Sequence, residues 1–350
     1  MKKKTIFFLA LIISMVLITE LVTRIIYKDK FNRYLPYCIN FQPDSLIGFT
    51  YEANSSFVIN HTQININNKG FIGNNFTNCK KRGTYRIIFV GACGISGVTH
   101  LNFYANFCTT LQYLFDKNGW NVEIINCGID GDHRSYEDFN IIKQKVLDYN
   151  PDLIIAESNF PFISFNYTRE VYRGNLMEYP MNNYKLREEL KTKIDELFKS
   201  KYKLLFFLYD HSYTIKALHN YFWHKGYFTP LTEILFLHYC RRFTNLNGRP
   251  KYWTVEKSTD MMKALNNELR LKGINLFYFS YVKDIDNINY FKDHQLPLIS
   301  LFNREEFTPS MFYFDDSHFS SVGYKTIGER FFHILTENAL IPPSFNNKHN

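Results

Sequence analysis

The spacing of apolar and polar positions changes character three times along the chain. Residues 5 to 22 follow Lys2, Lys3 and Lys4 and are almost wholly apolar, which predicts a membrane-spanning helix or a signal peptide. No small-x-small cleavage pattern follows, and Glu20, Thr23 and Arg24 continue the helical pattern. The reading is therefore an uncleaved signal anchor within residues 1–30. Arg24, Lys28, Lys30 and Arg33 offset the three leading lysines in the charge-bias rule, and the expectation is that the bulk of the chain lies outside the cytoplasm.

Residues 23 to 50 read as a juxtamembrane linker broken by Pro36 and Pro43. From Phe57 to Ile66 apolar and polar positions partly alternate, and Asn67-Asn68-Lys69-Gly70 supplies a turn. This predicts a small β extension, so that linker and extension fill 31–83 ahead of a main domain at 84–340.

Beyond Gly83 the pattern becomes one of strand and helix in alternation. Strands are predicted at Arg86 to Val90, Val122 to Ile125, Leu153 to Ala156, Leu204 to Leu208 and Ile274 to Phe279. Helices are predicted at Asn102 to Lys117, from a Ser135/Asp138 capping box to Tyr149, at Leu186 to Ser200, and at Val255 to Lys272 with Gly273 at its end. Alternation of this kind means a largely parallel sheet with helices on both faces, whose sites lie beyond the carboxyl ends of the strands. Between Asn159 and Asp260 the pattern is irregular and aromatic; a substrate wall and a core-completing insertion both fit it.

Composition narrows the function classes. Of 350 residues 45% are hydrophobic and 18% aromatic, enough for a core and too many for a disordered chain. The net charge of +8 is spread without a basic run, which argues against a nucleic-acid partner. Six cysteines show no CxxC pair, and His100, His133 and His211 have no ligand spacing, so neither a metal nor another cofactor is expected.

The candidate chemistry sits at two places. Cys93 follows the strand Arg86 to Val90 in the small-residue turn Gly91-Ala-Cys-Gly-Ile-Ser-Gly97, and Asp315-Asp-Ser-His318 precedes the C-terminal helix. They outline a nucleophile, an orienting acid and a base. Ser96 is a rival nucleophile. Cys93 also reads as a small buried residue of a degenerate site, and Asp315 and His318 as a helix cap and a structural histidine. If the first two strands are neighbours, Cys93 and Cys127 could form a disulfide; the alternative is Cys127 as a small packed side chain.

Four blocks in order resemble the SGNH (GDSL-type) hydrolase superfamily, and within it the membrane-anchored branch with a β extension. They are Val90-Gly-Ala-Cys93, Asn126-Cys-Gly-Ile-Asp-Gly131, Pro151-Asp152 through Glu157-Ser-Asn-Phe160, and Asp315-Asp-Ser-His318 with Gly323. The resemblance spans roughly residues 45 to 335. It implies a three-layer, flavodoxin-like α/β/α fold and ester hydrolysis or acyl transfer on acyl esters of a cell-surface glycan or lipid. Cys93 would be the nucleophile, His318 the general base and Asp315 its orienting acid, with the Cys93 and Gly131 amides and the Asn159 side chain as the oxyanion hole. The chain departs from the pattern where Ala92 replaces Asp, Cys93 replaces Ser, Glu157 replaces Gly and Phe160 replaces the second Asp. A catalytically inactive binding module of the same fold, serving surface polysaccharide, is the alternative.

Overall fold

The computed structural model describes residues 2–27, 41–44, 48–59, 62–97, 106–129, 135–158, 164–165, 167–172, 175–180, 184–197, 212–215, 217–218, 251–253, 255–312 and 318–347. Five parallel strands form the central sheet: β5 (Tyr85–Gly91), β6 (Val122–Gly128), β7 (Leu153–Glu157), β12 (Asn275–Val282) and β13 (Leu298–Phe302), in the spatial order β13-β12-β7-β5-β6. Numbered along the chain, that order is 2-1-3-4-5, a doubly wound sheet with its switch point beside β5. Outside it β8 (Ser164–Phe165) pairs with β11 (Lys251–Trp253) and β9 (Tyr167–Tyr172) with β10 (Asn175–Pro180), and the helices include α5 (Tyr184–Leu197) and α7 (Ile285–Asp293).

Side-chain alternation on β5 explains why the sheet is covered twice. Ile87 and Phe89 face Phe107, Leu111 and Phe115 of α3 (Phe107–Lys117) and Ile327, Phe331 and Leu335 of α8 (Ser321–Glu337). Ile88 and Val90 face the opposite core, with Ile141 and Ile142 of α4 (Ser135–Gln144) and Met262, Leu265 and Leu269 of α6 (Val255–Leu271). Every residue of β5 is buried, as expected for a central strand covered on both faces.

The structure extends the sequence reading and corrects it in places. The fifth strand is β13, a short apolar run between Pro297 and Asn303 that was not predicted. The place beside β7 belongs to β12, and Leu204 to Leu208 lies outside the described residues. The helix expected from Ser135 to Tyr149 ends at Gln144 and gives way to a 3-10 turn over Val146–Tyr149.

Pro43 is no linker breaker. It lies in β1 (Phe41–Asp44), paired antiparallel with β2 (Gly48–Tyr51), where a two-stranded ribbon tolerates the missing donor. Phe41, Phe49 and Tyr51 are buried in the same core as Ile88 and Val90, and Lys145 beyond α4 pairs with Asp44 at 2.5 Å. A second hairpin, β3 (Ser56–Ile59) with β4 (Thr62–Asn65), follows. Asn67 caps the predicted turn, its Oδ1 accepting from the N–H groups of Lys69 and Phe71.

Arg86 ties this extension to the sheet. Its side chain is 1% exposed; Nε donates to Glu123 at 2.8 Å, while Nη1 donates to the carbonyls of Asn78 (2.9 Å) and Tyr149. The N-terminal helix α1 (Lys2–Tyr27) contains a stretch, Lys4–Ile26, long and apolar enough to cross a membrane or to serve as a signal sequence. Near its end Glu20 accepts from the Ser212 hydroxyl (2.8 Å) and the N–H groups of Tyr213 (2.9 Å) and Thr214 (3.1 Å), and Arg24 lies over the Tyr213 ring.

Candidate active site

The site is built at the carboxyl end of β5, beside the switch point. After Gly91 the chain turns into α2 (Cys93–Ser96), a single helical turn whose carbonyls, orphaned in so short a helix, all find donors. Cys93 O accepts from Gly97 N–H at 3.0 Å, and Gly94 O from the Tyr324 hydroxyl of α8 at 3.0 Å. Ile95 O accepts from the amides of Asn126 (2.8 Å) and Asn106 (3.2 Å), and Ser96 O from Asn106 at 3.3 Å. Three separate elements thus fix the one turn that carries Cys93.

Across the sheet edge, His318 brings Nε2 to 3.1 Å from Cys93 Sγ, joining residues 225 apart in the chain. Its position follows from the entry to α8. Ser320 caps that helix, accepting from Gly323 N–H, while its own N–H donates to Met311 O at 2.8 Å and its hydroxyl to Ser310 O at 2.5 Å. A Cβ at position 323 would stand 2.3 Å from Met311 O, so only glycine lets this loop approach so closely. The Cys93 N–H, first in α2, donates to no acceptor among the described residues.

Of the predicted site residues, the structure brings Cys93 and His318 together. Asp315, Gly131 and Asn159 lie outside the described residues, as does Phe160. Ser96 is wholly buried with its hydroxyl on Cys93 O at 3.3 Å, so the rival nucleophile faces back into its own turn. Cys93 and Cys127 are both free thiols although β5 and β6 are neighbours. The reason is facing: Cys127 pairs in register with Val90 and packs into the core with Ile88 and Ile125, whereas Cys93 turns to His318. Burial pushes the Cys108 and Cys127 thiols well above the ordinary range, which keeps them protonated and inert.

Asn126, Cys127 and Gly128 of the second block are the last residues of β6, because the ladder with β5 runs on to Gly91 and Gly128. Asn126 Oδ1 also accepts from Gly128 N–H at 2.9 Å, so one amide closes its own strand end and the nucleophile turn together. Glu157, likewise the end of a strand, accepts from Ala92 N–H at 2.9 Å. Asn106 and Tyr324 were not anticipated; they bond carbonyls of the turn 10 and 230 residues back, contacts that no local pattern encodes.

No family model matches the chain, and no curated protein sequence matches it. Among solved structures it is similar to the esterase EstA from Pseudoalteromonas sp. (11% identity, 73% of this chain and 99% of that one, TM-score 0.39). Others are a GDSL-like lipase from Bacteroides thetaiotaomicron (11%, 75% and 93%, TM-score 0.36) and a family 3 carbohydrate esterase from Clostridium thermocellum (14%, 73% and 98%, TM-score 0.33).

Proposed function

We propose that this chain is a membrane-anchored acyl-ester hydrolase or acyltransferase of SGNH type, acting through Cys93, His318 and Asp315 on O-acyl groups of a cell-surface glycan or lipid. The observation that carries the reading is the 3.1 Å approach of His318 Nε2 to Cys93 Sγ at the carboxyl edge of a parallel sheet. The four sequence blocks, which resemble the SGNH superfamily in the same order, support it.

In the first half-reaction His318 Nε2 takes the thiol proton and the sulfur attacks the acyl carbon. The carbonyl oxygen becomes an oxyanion, held by the Cys93 N–H and, in this reading, by the Gly131 N–H and the Asn159 amide. Collapse breaks the ester C–O bond, His318 returns its proton to the leaving alcohol, and a thioester remains on Cys93. Water, or a second hydroxyl in the transfer variant, then attacks with His318 again as base, releasing the acid or a new ester and restoring the thiol. Asp315 keeps the imidazole in the tautomer that accepts at Nε2.

The test is deacetylation of O-acetylated polysaccharide and of short-chain acyl lipids by the full-length chain in detergent, with Cys93→Ala, His318→Ala and Asn159→Ala in parallel. Cys93→Ala and His318→Ala are expected to abolish acyl release, and Asn159→Ala to lower it about 10²–10³-fold. Acyl release that persists in Cys93→Ala would refute the assignment.

A further inference from the structure

We propose that Glu157 is a positioning residue of this site: a partly buried carboxylate that fixes the turn carrying Cys93 and holds positive charge on His318. The inference rests on the acyl-transfer reading above and adds a component to it.

The turn has a poor N-cap. Ala92 stands at that position of α2 in extended conformation with no side chain to cap the helix, where alanine is among the weakest choices. The acceptor comes instead from the neighbouring strand, Glu157 Oε2 taking the Ala92 N–H at 2.9 Å. The space for this carboxyl has been cleared on both sides. A Cβ on Gly91 would meet Oε2 at 2.6 Å, and one on Gly94 would meet Oε1 at 3.0 Å and the Tyr281 hydroxyl at 2.5 Å. Two glycines, one alanine and the glutamate therefore form a fitted set, and the glutamate cannot be an incidental strand end.

Among the described residues, the groups that act on the carboxyl are the Ala92 N–H, the phenol of Tyr281 on β12 and His318 ahead of α8, and Tyr281 is faced in turn by Cys93 of α2 and Tyr324 of α8. Burial raises the Glu157 pKa; the Ala92 N–H, the Tyr281 hydroxyl and the charge of His318 pull it back down. Burial also drives the Tyr281 phenol well above its ordinary value, so it faces the carboxylate as a neutral group. Among the described residues of this set, His318 is the one that can carry positive charge. A carboxylate beside it favours the imidazolium, and so the protonated base that must return its proton to the leaving alcohol.

Because the folded pKa is raised, the stability contribution of Glu157 is complete below its ordinary value of 4.5 and is lost as the pH rises through the folded value. Keeping this carboxyl in the site at neutral pH therefore costs the fold stability. A purely structural strand end would gain nothing from bearing that cost.

Glu157→Gln keeps an acceptor for Ala92 N–H and removes the charge; Glu157→Ala removes both. The readout is the pH profile of Cys93 alkylation by iodoacetamide in the full-length chain, followed on the Cys93 peptide, with thermal unfolding alongside. Losing the charge lowers the proton affinity of His318, the base that takes the thiol proton, so Glu157→Gln is expected to shift the acid limb about one unit to lower pH. The same variant should melt higher than the wild type at pH 7, the gap closing below pH 4.5. Glu157→Ala is expected to slow alkylation at every pH. A Glu157→Gln profile superimposable on the wild type overturns the inference. If His318→Ala also leaves the profile unchanged, the acyl-transfer reading falls with it; if His318→Ala changes it and Glu157→Gln does not, only the role of Glu157 falls.

Discussion

Gly128→Ala tests how tightly the nucleophile turn is gauged. Gly128 ends β6 directly beneath α2, and a Cβ there would stand 2.3 Å from Ser96 N, 2.8 Å from Ile95 C and 2.9 Å from Ile95 Cβ. All three atoms belong to the backbone of α2 or sit next to it, so no flexible tip can move aside. Reaching ordinary contact at 3.4 Å requires α2 to withdraw by about 1 Å. Cys93 rides on that turn, 3.1 Å from His318. A displacement of about 1 Å in a reacting pair costs on the order of 10²-fold in rate, equivalent to about 2.7 kcal/mol of barrier. Overpacking itself costs about 1–3 kcal/mol of stability, less than the roughly 5–15 kcal/mol that holds a domain folded. The variant should therefore remain folded and acylate slowly. The assay is the rate of acyl-adduct formation on Cys93 from an activated acetyl ester, with circular dichroism to confirm folding. A folded Gly128→Ala protein that acylates within threefold of the wild-type rate would refute the reasoning.

Three further outcomes follow from the geometry. Arg86→Ala leaves Glu123 and the Asn78 and Tyr149 carbonyls without their buried partner and should cost about 3–5 kcal/mol in urea unfolding; an unchanged midpoint would contradict this. Burial raises the pKa of Cys108, Cys127 and Tyr278 above ordinary values of 9.0, 9.0 and 10.0. Their contribution is complete below about pH 9 and is lost as the pH rises beyond it, so the melting temperature should fall on the alkaline side, and less so in Cys127→Ala. Thr214 Oγ1 donates to Thr23 Oγ1 at 3.3 Å, so a Thr23→Cys/Thr214→Cys pair should form an intramolecular disulfide in membranes. Failure to cross-link would show that α1 does not stay docked there.

Much of the sheet is legible in the sequence because its strands are short apolar runs set between helices of clear period. Arg86 to Val90 and Leu153 to Ala156 lie within β5 and β7, which extend beyond them by one residue at each end and by Glu157 respectively. Leu298–Phe302 escapes because five residues without strict alternation, flanked by loops, leave a weak signal; its identity comes from pairing with β12. Phe41–Tyr51 escapes because Pro43 reads as a breaker until its antiparallel partner is known. The pairing of Cys93 with His318 could be read from the residue types at a strand end and before a helix. The cradle of Asn106, Asn126, Glu157 and Tyr324 could not, since each acts on backbone atoms of the turn, and all but Asn106 do so from 31, 65 and 230 residues away.

The proposed function requires that Cys93 be a working nucleophile with His318 as its base. Intact mass of the reduced full-length chain, in detergent, after incubation with an activated acetyl ester, measures this. One acetyl group is expected on Cys93, absent from Cys93→Ala and formed far more slowly in His318→Ala. A folded wild-type chain with a reduced Cys93 and no adduct, or an adduct indifferent to His318, would contradict it.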